Sequence, residues 1–356
     1  MPASANIVIR LESGQAIGFG HVKRGLVLAA AFVQMGCDVR FVCRDQPDSY
    51  FRTVPHGEKV IWLGGTTPAT DAASTLAACK AQAFTPDLMI LDCYDFDQAW
   101  ERAIRAAGAK VLVLEDYAER KHAADFVTGP SQKLKDPACY DDISGTTFLL
   151  GAPYLILGPE FARNAFSRGE IAPLKAGQKN LALFFGSADL TQETEKVLAA
   201  LRDPAFGLAG EVGHVHVVIG AANPRAASLR AALAALPLAN LSVQVPSLAG
   251  PLSQADVFLT AGGNSMQEGV ALGKPSIVIA TARNQTDLCE EFASVPYIRY
   301  LGESSRVTGA HIAAALQDIT PMFNTQIRPA MQAAPIDTQG ARRIADAVLG
   351  RLGRKG

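Results

Sequence analysis

Twice along its length the chain alternates short runs rich in Val, Ile, Leu and Phe with longer Ala- and Leu-rich stretches of helical period. That alternation constrains the fold more than any other feature, because parallel strands need a crossover of about a dozen residues and a helix is the usual one. The expected class is α/β. The first series places strands near 6–11, 38–43, 59–63, 87–91 and 110–114, helices near 21–35, 70–82 and 96–107, and shorter strands near 125–128 and 153–157. After the polar, glycine-containing stretch Ser167 to Asn180 the series restarts, with strands near 181–185, 214–219, 241–244, 256–260 and 275–280 and helices near 190–203, 224–236, 264–272 and 285–294. The reading is two doubly wound, Rossmann-like domains, 1–166 and 180–306, facing across a cleft, with a helical tail at 307–356 that packs back on the first domain. A length of 356 residues agrees with two domains. In such folds ligands sit beyond the carboxyl ends of the strands, so chemistry is sought in the loops that follow them.

Composition narrows the function classes. Lys+Arg 33 against Asp+Glu 34 leaves a net charge of -1, so the broad attraction that drives binding to nucleic acid or a membrane surface is missing and neither partner is expected. Any bound anion must be held locally. The six cysteines, Cys37, Cys43, Cys79, Cys93, Cys139 and Cys289, include no CxxC, and a disulfide framework is not expected. The opening residues Met1 to Asn6 lack the basic start of a secretory signal, and no apolar run reaches the roughly 18 residues of a membrane span; a cytoplasmic location without membrane insertion is the expectation. His214 and His216 share one face of an expected strand but have no third ligand nearby, while His56, His122 and His311 have no evident partner in sequence. Neither a metal nor a cofactor is expected. No GxSxG, HExxH or GxxxxGK[ST] occurs, which argues against a serine hydrolase, a zincin and a P-loop enzyme.

The most informative segment runs from Arg10 to Arg24, from a strand end through Gly14, Gly18 and Gly20 into a helix whose Val22, Leu26, Ala29, Ala30 and Val33 recur on one face. His21 then lies at a helix N-terminus, where the helix dipole, Lys23 and Arg24 disfavour an imidazolium. A neutral imidazole there can take a proton. Gly18 and Gly20 let backbone approach a substrate and point amides at anionic oxygens, and Arg10 and Lys23 are counted as substrate contacts beside them. The competing reading is a plain tight turn with a solvated histidine. The spacing is not GxGxxG, so a dinucleotide fingerprint fits poorly.

At the next strand end, Leu91-Asp92-Cys93-Tyr94-Asp95, Asp92 or Asp95 either caps the following helix or faces a ligand. Tyr94 can orient a sugar hydroxyl or a phosphate oxygen, and Cys93 is read as a small buried residue. Glu115-Asp116 repeats the pattern more weakly. In the second half, Gly186 and Ser187 close a strand with amides suited to a phosphate. Gly262-Gly263-Asn264-Ser265 open a helix after another strand, a nest for a diphosphate, and Glu268 lies one turn beyond Asn264, placed for a ribose diol or merely exposed on its helix. Asn284 and Gln285 add two amides after the strand Ser276 to Ala280.

At these residues the chain resembles the UDP-2,4-diacetamido-2,4,6-trideoxy-β-L-altropyranose hydrolases of pseudaminic acid biosynthesis, relatives of the GT-B nucleotide-sugar glycosyltransferases. The resemblance is most specific at Ile17-Gly18-Phe19-Gly20-His21-Val22-Lys23-Arg24, weaker at Asp92-Cys93-Tyr94, Gly151-Ala152-Pro153-Tyr154, Pro159-Glu160-Phe161, Gly186-Ser187-Ala188-Asp189, Gly262-Gly263 with Glu268, and Asn284-Gln285, and covers about residues 8–290. It implies His21 as catalytic base, Tyr94 and Asn284 in the active site, and Glu268 with the surrounding glycines on UDP. It also implies metal-independent release of UDP and the free sugar, in a route to bacterial surface glycans including those of flagellin. Glu12, Ala188 and Gly158 depart from the family pattern, where Asp, Thr and Arg are usual. A glycosyltransferase of the same architecture and a non-catalytic nucleotide-sugar-binding protein are the rival readings.

Overall fold

The computed structural model describes residues 5–14, 20–54, 57–116, 120–140, 144–164, 171–221, 223–236 and 238–353. Among them are two sheets in which every strand pairing is parallel. The first holds β1 (Asn6–Leu11), β2 (Asp38–Arg44), β3 (Lys59–Leu63), β4 (Leu88–Asp92), β5 (Lys110–Leu114), β6 (Phe126–Gly129) and β7 (Thr147–Leu150), in the order β3-β2-β1-β4-β5-β6-β7. The second holds β8 (Lys179–Phe184), β9 (Val212–Ile219), β10 (Ala239–Val243), β11 (Val257–Ala261), β12 (Ser276–Ala280) and β13 (Arg299–Glu303), in the order β10-β9-β8-β11-β12-β13. Both start in the middle, wind outward to one edge and return to fill the other. Each therefore has a switch point where the winding reverses, between β1 and β4 in the first sheet and between β8 and β11 in the second, and there the loops diverge to leave a crevice.

The period-2 alternation of a strand explains how β1 is covered on both faces. Ile7, Ile9 and Leu11 join Val22, Leu28 and Phe32 of the helix Gly20–Gln34 and Ile344 and Val348 of the helix Gly340–Leu352. Val8, pointing the other way, joins Met89, Leu91, Trp100 and Ile104. Arg10 falls on that second face and is fully buried.

The chain divides into two compact units, Met1–Gly158 with Thr338–Gly356, and Pro159–Asp337. The division differs from the boundaries read in the sequence. Phe161, in the helix Pro159–Asn164, is buried with Leu252 and Phe258 of the second sheet's core, so the second unit begins before residue 166. Of the helical tail, Gly309–Met322 packs on Glu193–Arg202 within the second unit, and only Gly340–Leu352 packs on the first sheet. Gly340 is required there: a Cβ would meet the carbonyl oxygen of Leu155 at 2.1 Å. The apolar segment near 153–157 is not a strand, since Pro153 lies in a single 3-10 turn, Ala152–Tyr154, and the ladder is completed instead by β7. β13 and the helix Ala249–Gln254 add to the elements expected. No helix among the described residues is long and apolar enough to cross a membrane.

Candidate active site

The first switch point gathers side chains from two strand ends and one helix. His21 is the second residue of the helix Gly20–Gln34, Asp92 the last residue of β4, and Asp116 lies two residues beyond β5. His21 Nδ1 is 2.6 Å from Asp92 Oδ1, with 12% of the His21 side chain exposed and none of Asp92. Arg24, one turn along the helix, donates from Nε to Asp92 Oδ2 at 2.7 Å and from Nη2 to Asp92 Oδ1 at 2.5 Å. Its Nη1 donates to both oxygens of Asp116 at 2.9 Å. The Tyr94 hydroxyl donates to Asp116, and the Tyr94 ring meets His21 edge-on with centroids 5.0 Å apart. Asp92 does neither of the two things expected of it: it is fully buried against His21 and Arg24, which corrects its expected substrate contact, and the following helix, Gln98–Ala106, is capped by Asp97, whose Oδ1 accepts from Ala99 N at 2.9 Å.

These contacts set the protonation states. Burial alone would raise the Asp92 carboxyl, but Arg24 and His21 hold it well below the usual carboxylate range. Burial and the neighbouring Asp116 raise the Tyr94 phenol, which keeps its proton. An ionised Asp92 only accepts, so the proton of a neutral His21 ring sits on Nδ1 and Nε2 presents a lone pair. Nε2 has no hydrogen-bond partner among the described residues. The expectation that the helix end, Lys23 and Arg24 govern this imidazole is corrected in one respect: Arg24 is engaged with carboxylates, and Asp92 Oδ1, at 2.6 Å, lies closer to Nδ1 than Arg24 Nη2, at 3.3 Å.

A second buried cluster supports the loop that carries Tyr94. Arg120 donates from Nη1 to the carbonyls of Cys93 at 3.0 Å and Phe96 at 2.8 Å, and from Nε to Glu115 Oε2 at 3.0 Å. His122 bridges Glu101 at 2.7 Å and Glu115 at 2.8 Å. Burial pushes its pKa down, but the two carboxylates prevail and raise it to about 9. Nothing in the sequence around His122 announced these partners.

The other anticipated residues fall into two groups. Arg10 is corrected from substrate contact to structural residue: no part of it is exposed, its Nε and Nη2 hold Asp71 at 3.0 and 2.7 Å, and Nη1 reaches the Leu11 carbonyl at 2.9 Å. Trp100 Nε1, Thr66 and Thr75 also donate to Asp71. Gly20 and Lys23 are exposed, and Gly18 lies outside the described residues. At the second switch point, Gly186 adopts φ +90, a left-handed conformation that suits glycine, and Ser187 O accepts from Gly220 N at 2.9 Å. Ser265 is buried with its hydroxyl 2.7 Å from that of Thr260, and the Gln285 side-chain oxygen accepts from Gly262 N at 3.1 Å and Thr281 N at 2.8 Å. Gln285 thus stitches the ends of β11 and β12, while Ser265, expected in an amide nest, ties its hydroxyl to the end of β11. Asn264 is exposed, and Gly263, Glu268 and Asn284 are half-buried at the same end of the sheet. Among the described residues no group of three or more His, Cys, Asp and Glu is arranged to hold a metal ion.

No protein-family model matches the chain. It is 30% identical over 154 residues to the spore coat polysaccharide biosynthesis protein SpsG of Bacillus subtilis (strain 168), a match of 42% of this chain and 43% of that protein. It is 24% identical over 298 residues to the uncharacterized protein MJ1062 of Methanocaldococcus jannaschii, covering 80% of this chain and 58% of that one. The chain thus spans about half the length of the curated relatives it matches, 43% and 58%. Among solved structures, the glycosyltransferase of kitacinnamycin superposes with a TM-score of 0.63 at 17% identity, covering 99% of this chain and 100% of that one. Os79 from O. sativa in complex with UDP superposes with a TM-score of 0.66 at 12% identity, covering 97% and 100%. These likenesses establish the architecture: the chain has the GT-B fold, with two Rossmann-like parallel sheets.

Proposed function

We propose that the chain hydrolyses a UDP-linked 2,4-diacetamido-2,4,6-trideoxy sugar to UDP and the free sugar, the reaction of the pseudaminic acid route. The observation that carries the reading is the His21–Asp92 pair at the first switch point, with Nδ1 committed to a buried carboxylate and Nε2 presenting a lone pair. Nε2 takes a proton from water as the water oxygen bonds to the anomeric carbon. The bond from that carbon to the diphosphate oxygen breaks, and its electron pair leaves with UDP. Asp92 stabilises the imidazolium that forms. Tyr94, beside His21, orients the sugar. The UDP is held by the second unit, its diphosphate on amides around Gly186, Ser187, Gly263 and Asn264, its ribose on Glu268, with Asn284 completing the site. General-base assistance accounts for about 10²–10⁴-fold of such a reaction, and positioning and leaving-group stabilisation for the rest. SpsG, named for polysaccharide biosynthesis, and Os79, crystallised with UDP, support a nucleotide-sugar substrate.

The test is a panel of UDP-sugars incubated with the protein alone and followed by phosphorus NMR, with and without a chelator. UDP released without any acceptor, undiminished by chelator, supports metal-independent hydrolysis. The second reading, transfer to an acceptor hydroxyl deprotonated by His21, is favoured by the glycosyltransferases among the structural neighbours. It predicts that UDP appears only when an acceptor is added. Binding of UDP with no turnover in either arm would leave a non-catalytic nucleotide-sugar binder.

A further inference from the structure

Five side chains at the first switch point form a closed circuit. His21 contacts Asp92, Asp92 is forked by Arg24, Arg24 reaches Asp116, Asp116 accepts from Tyr94, and the Tyr94 ring returns to the edge of His21. We infer that Arg24 and Asp116 are positioning residues, which hold the His21 imidazole in its Nδ1–H form and lock that form to the orientation of the Tyr94 phenol. The inference rests on the proposed reading only in taking His21 Nε2 as the reacting atom.

The reasoning starts from what a guanidinium offers. It has five N–H donors in a rigid plane and no acceptor. Arg24 aims one edge at Asp92, through Nε and Nη2, and gives Nη1 to Asp116. One helical side chain thereby spans the ends of the neighbouring strands β4 and β5. Arg24 Nη2 also lies 3.3 Å from His21 Nδ1. Two hydrogen-bond patterns therefore compete at this ring. In one, Nδ1–H donates to Asp92 and Nε2 accepts. In the other, Nδ1 accepts from the guanidinium and Nε2 carries the proton, so the ring can no longer act as a base through that atom. Which pattern holds depends on where the guanidinium plane points, and Asp116 fixes it by drawing Nη1 away from the ring.

Charge favours the same pattern. With Asp116 in place the Arg24 guanidinium is held by a carboxylate on each side and is not left to turn toward the ring. Among the described residues, the charged groups nearby include Lys23, exposed on the same helix, Asp95, paired with Arg44 at 3.6 Å, and Arg120, whose guanidinium carbon lies 5.5 Å from the Tyr94 ring centroid and which is paired with Glu115.

The experiment reads the tautomer without any substrate. Protein labelled with ¹⁵N-histidine is examined at about pH 8 by two-bond ¹H–¹⁵N correlation, with His21 assigned by the signal lost in His21→Gln. Wild type should show the Nδ1–H tautomer. Arg24→Lys cannot fork two carboxylates, and Asp116→Asn removes the outer anchor; both should show the Nε2–H tautomer or a mixture. Tyr94→Phe should keep Nδ1–H. Where hydrolysis is measurable, kcat should fall about ten- to a hundredfold in both variants, with KM within about threefold. Arg24 is nearly buried and Asp116 is 17% exposed, so Asp116→Asn is the variant that keeps the test alive if Arg24→Lys does not fold. Wild-type tautomer and kcat in a folded Asp116→Asn protein would overturn the inference while leaving the hydrolase reading intact. A tautomer change in variants of a protein that hydrolyses no UDP-sugar would uphold the inference and discard that reading.

Discussion

The two switch points share a winding and little else. The first is built from ionisable side chains, His21, Asp92, Arg24, Asp116 and Tyr94, each hydrogen-bonded to at least one of the others. At the second, glycines, a serine and side-chain amides tie the strand ends together, and Asp189, after β8, faces the amides of Glu193 and Thr194 at 2.9 Å to cap a helix. The first crevice gathers groups that can exchange protons; the second offers backbone amides and the helix N-terminus that starts at Asn264. The contrast shows that the winding fixes where a site sits while the residues at the strand ends decide its chemistry.

The sharpest way to break this division is His21→Ala. Turnover of a UDP-sugar should fall about 10²–10⁴-fold, while calorimetry should find UDP affinity within about threefold of wild type. A parallel loss of UDP binding would mean that the two crevices do not divide the work. The converse change is Gly262→Val. A Cβ at Gly262 would lie 2.2 Å from Cys289 Sγ and 3.0 Å from Gln285 Cβ, so a larger side chain must displace the stitch between β11 and β12. A stability loss of about 1–3 kcal/mol with weakened UDP binding is expected, and the His21 tautomer should stay as in wild type. A change in that tautomer would show that the two ends are not independent.

The smallest effect concerns the support beneath the first crevice. His122 is raised from 6.5 to about 9 in the folded protein, so between these values the folded state holds a proton that the unfolded chain has lost. Its contribution to stability is complete below about pH 6.5 and is lost as pH rises through about 9. Melting temperatures across that window should fall with rising pH in wild type and fall less in His122→Gln, a difference on the order of 1–2 kcal/mol. Equal slopes would remove His122 as the titrating group.

Much of this was legible before any coordinates. Strand and helix periodicity placed β1 to β6 and β8 to β12 within a few residues, because parallel strands buried on both faces leave dense apolar runs. β13 escaped because Arg299-Tyr300-Leu301-Gly302-Glu303 at the sheet edge is only half-buried, and β7 because a more apolar segment just after it looked more like a strand. Asp92 and Tyr94 are legible as residues that follow a strand, and His21 as a residue at the start of a helix behind a glycine loop. Arg24 is legible only as a cation near the imidazole, since its carboxylate partners lie 68 and 92 residues away. Arg10 was misplaced for the same reason: its mate, Asp71, is 61 residues distant, and a lone arginine at a strand end gives no sign of whether a buried acid awaits it.

The helix Gly340–Leu352 carries a consequence for how the molecule is made. It closes the core against the helix that bears His21 and Arg24, although the whole of the second unit separates them in sequence. On a ribosome, the uninterrupted segment 159–337 has all its residues in hand before the first unit does, so the half synthesised later is the half able to finish folding first. The crevice that bears His21 and Asp92 gains its last layer of packing only after that helix has emerged.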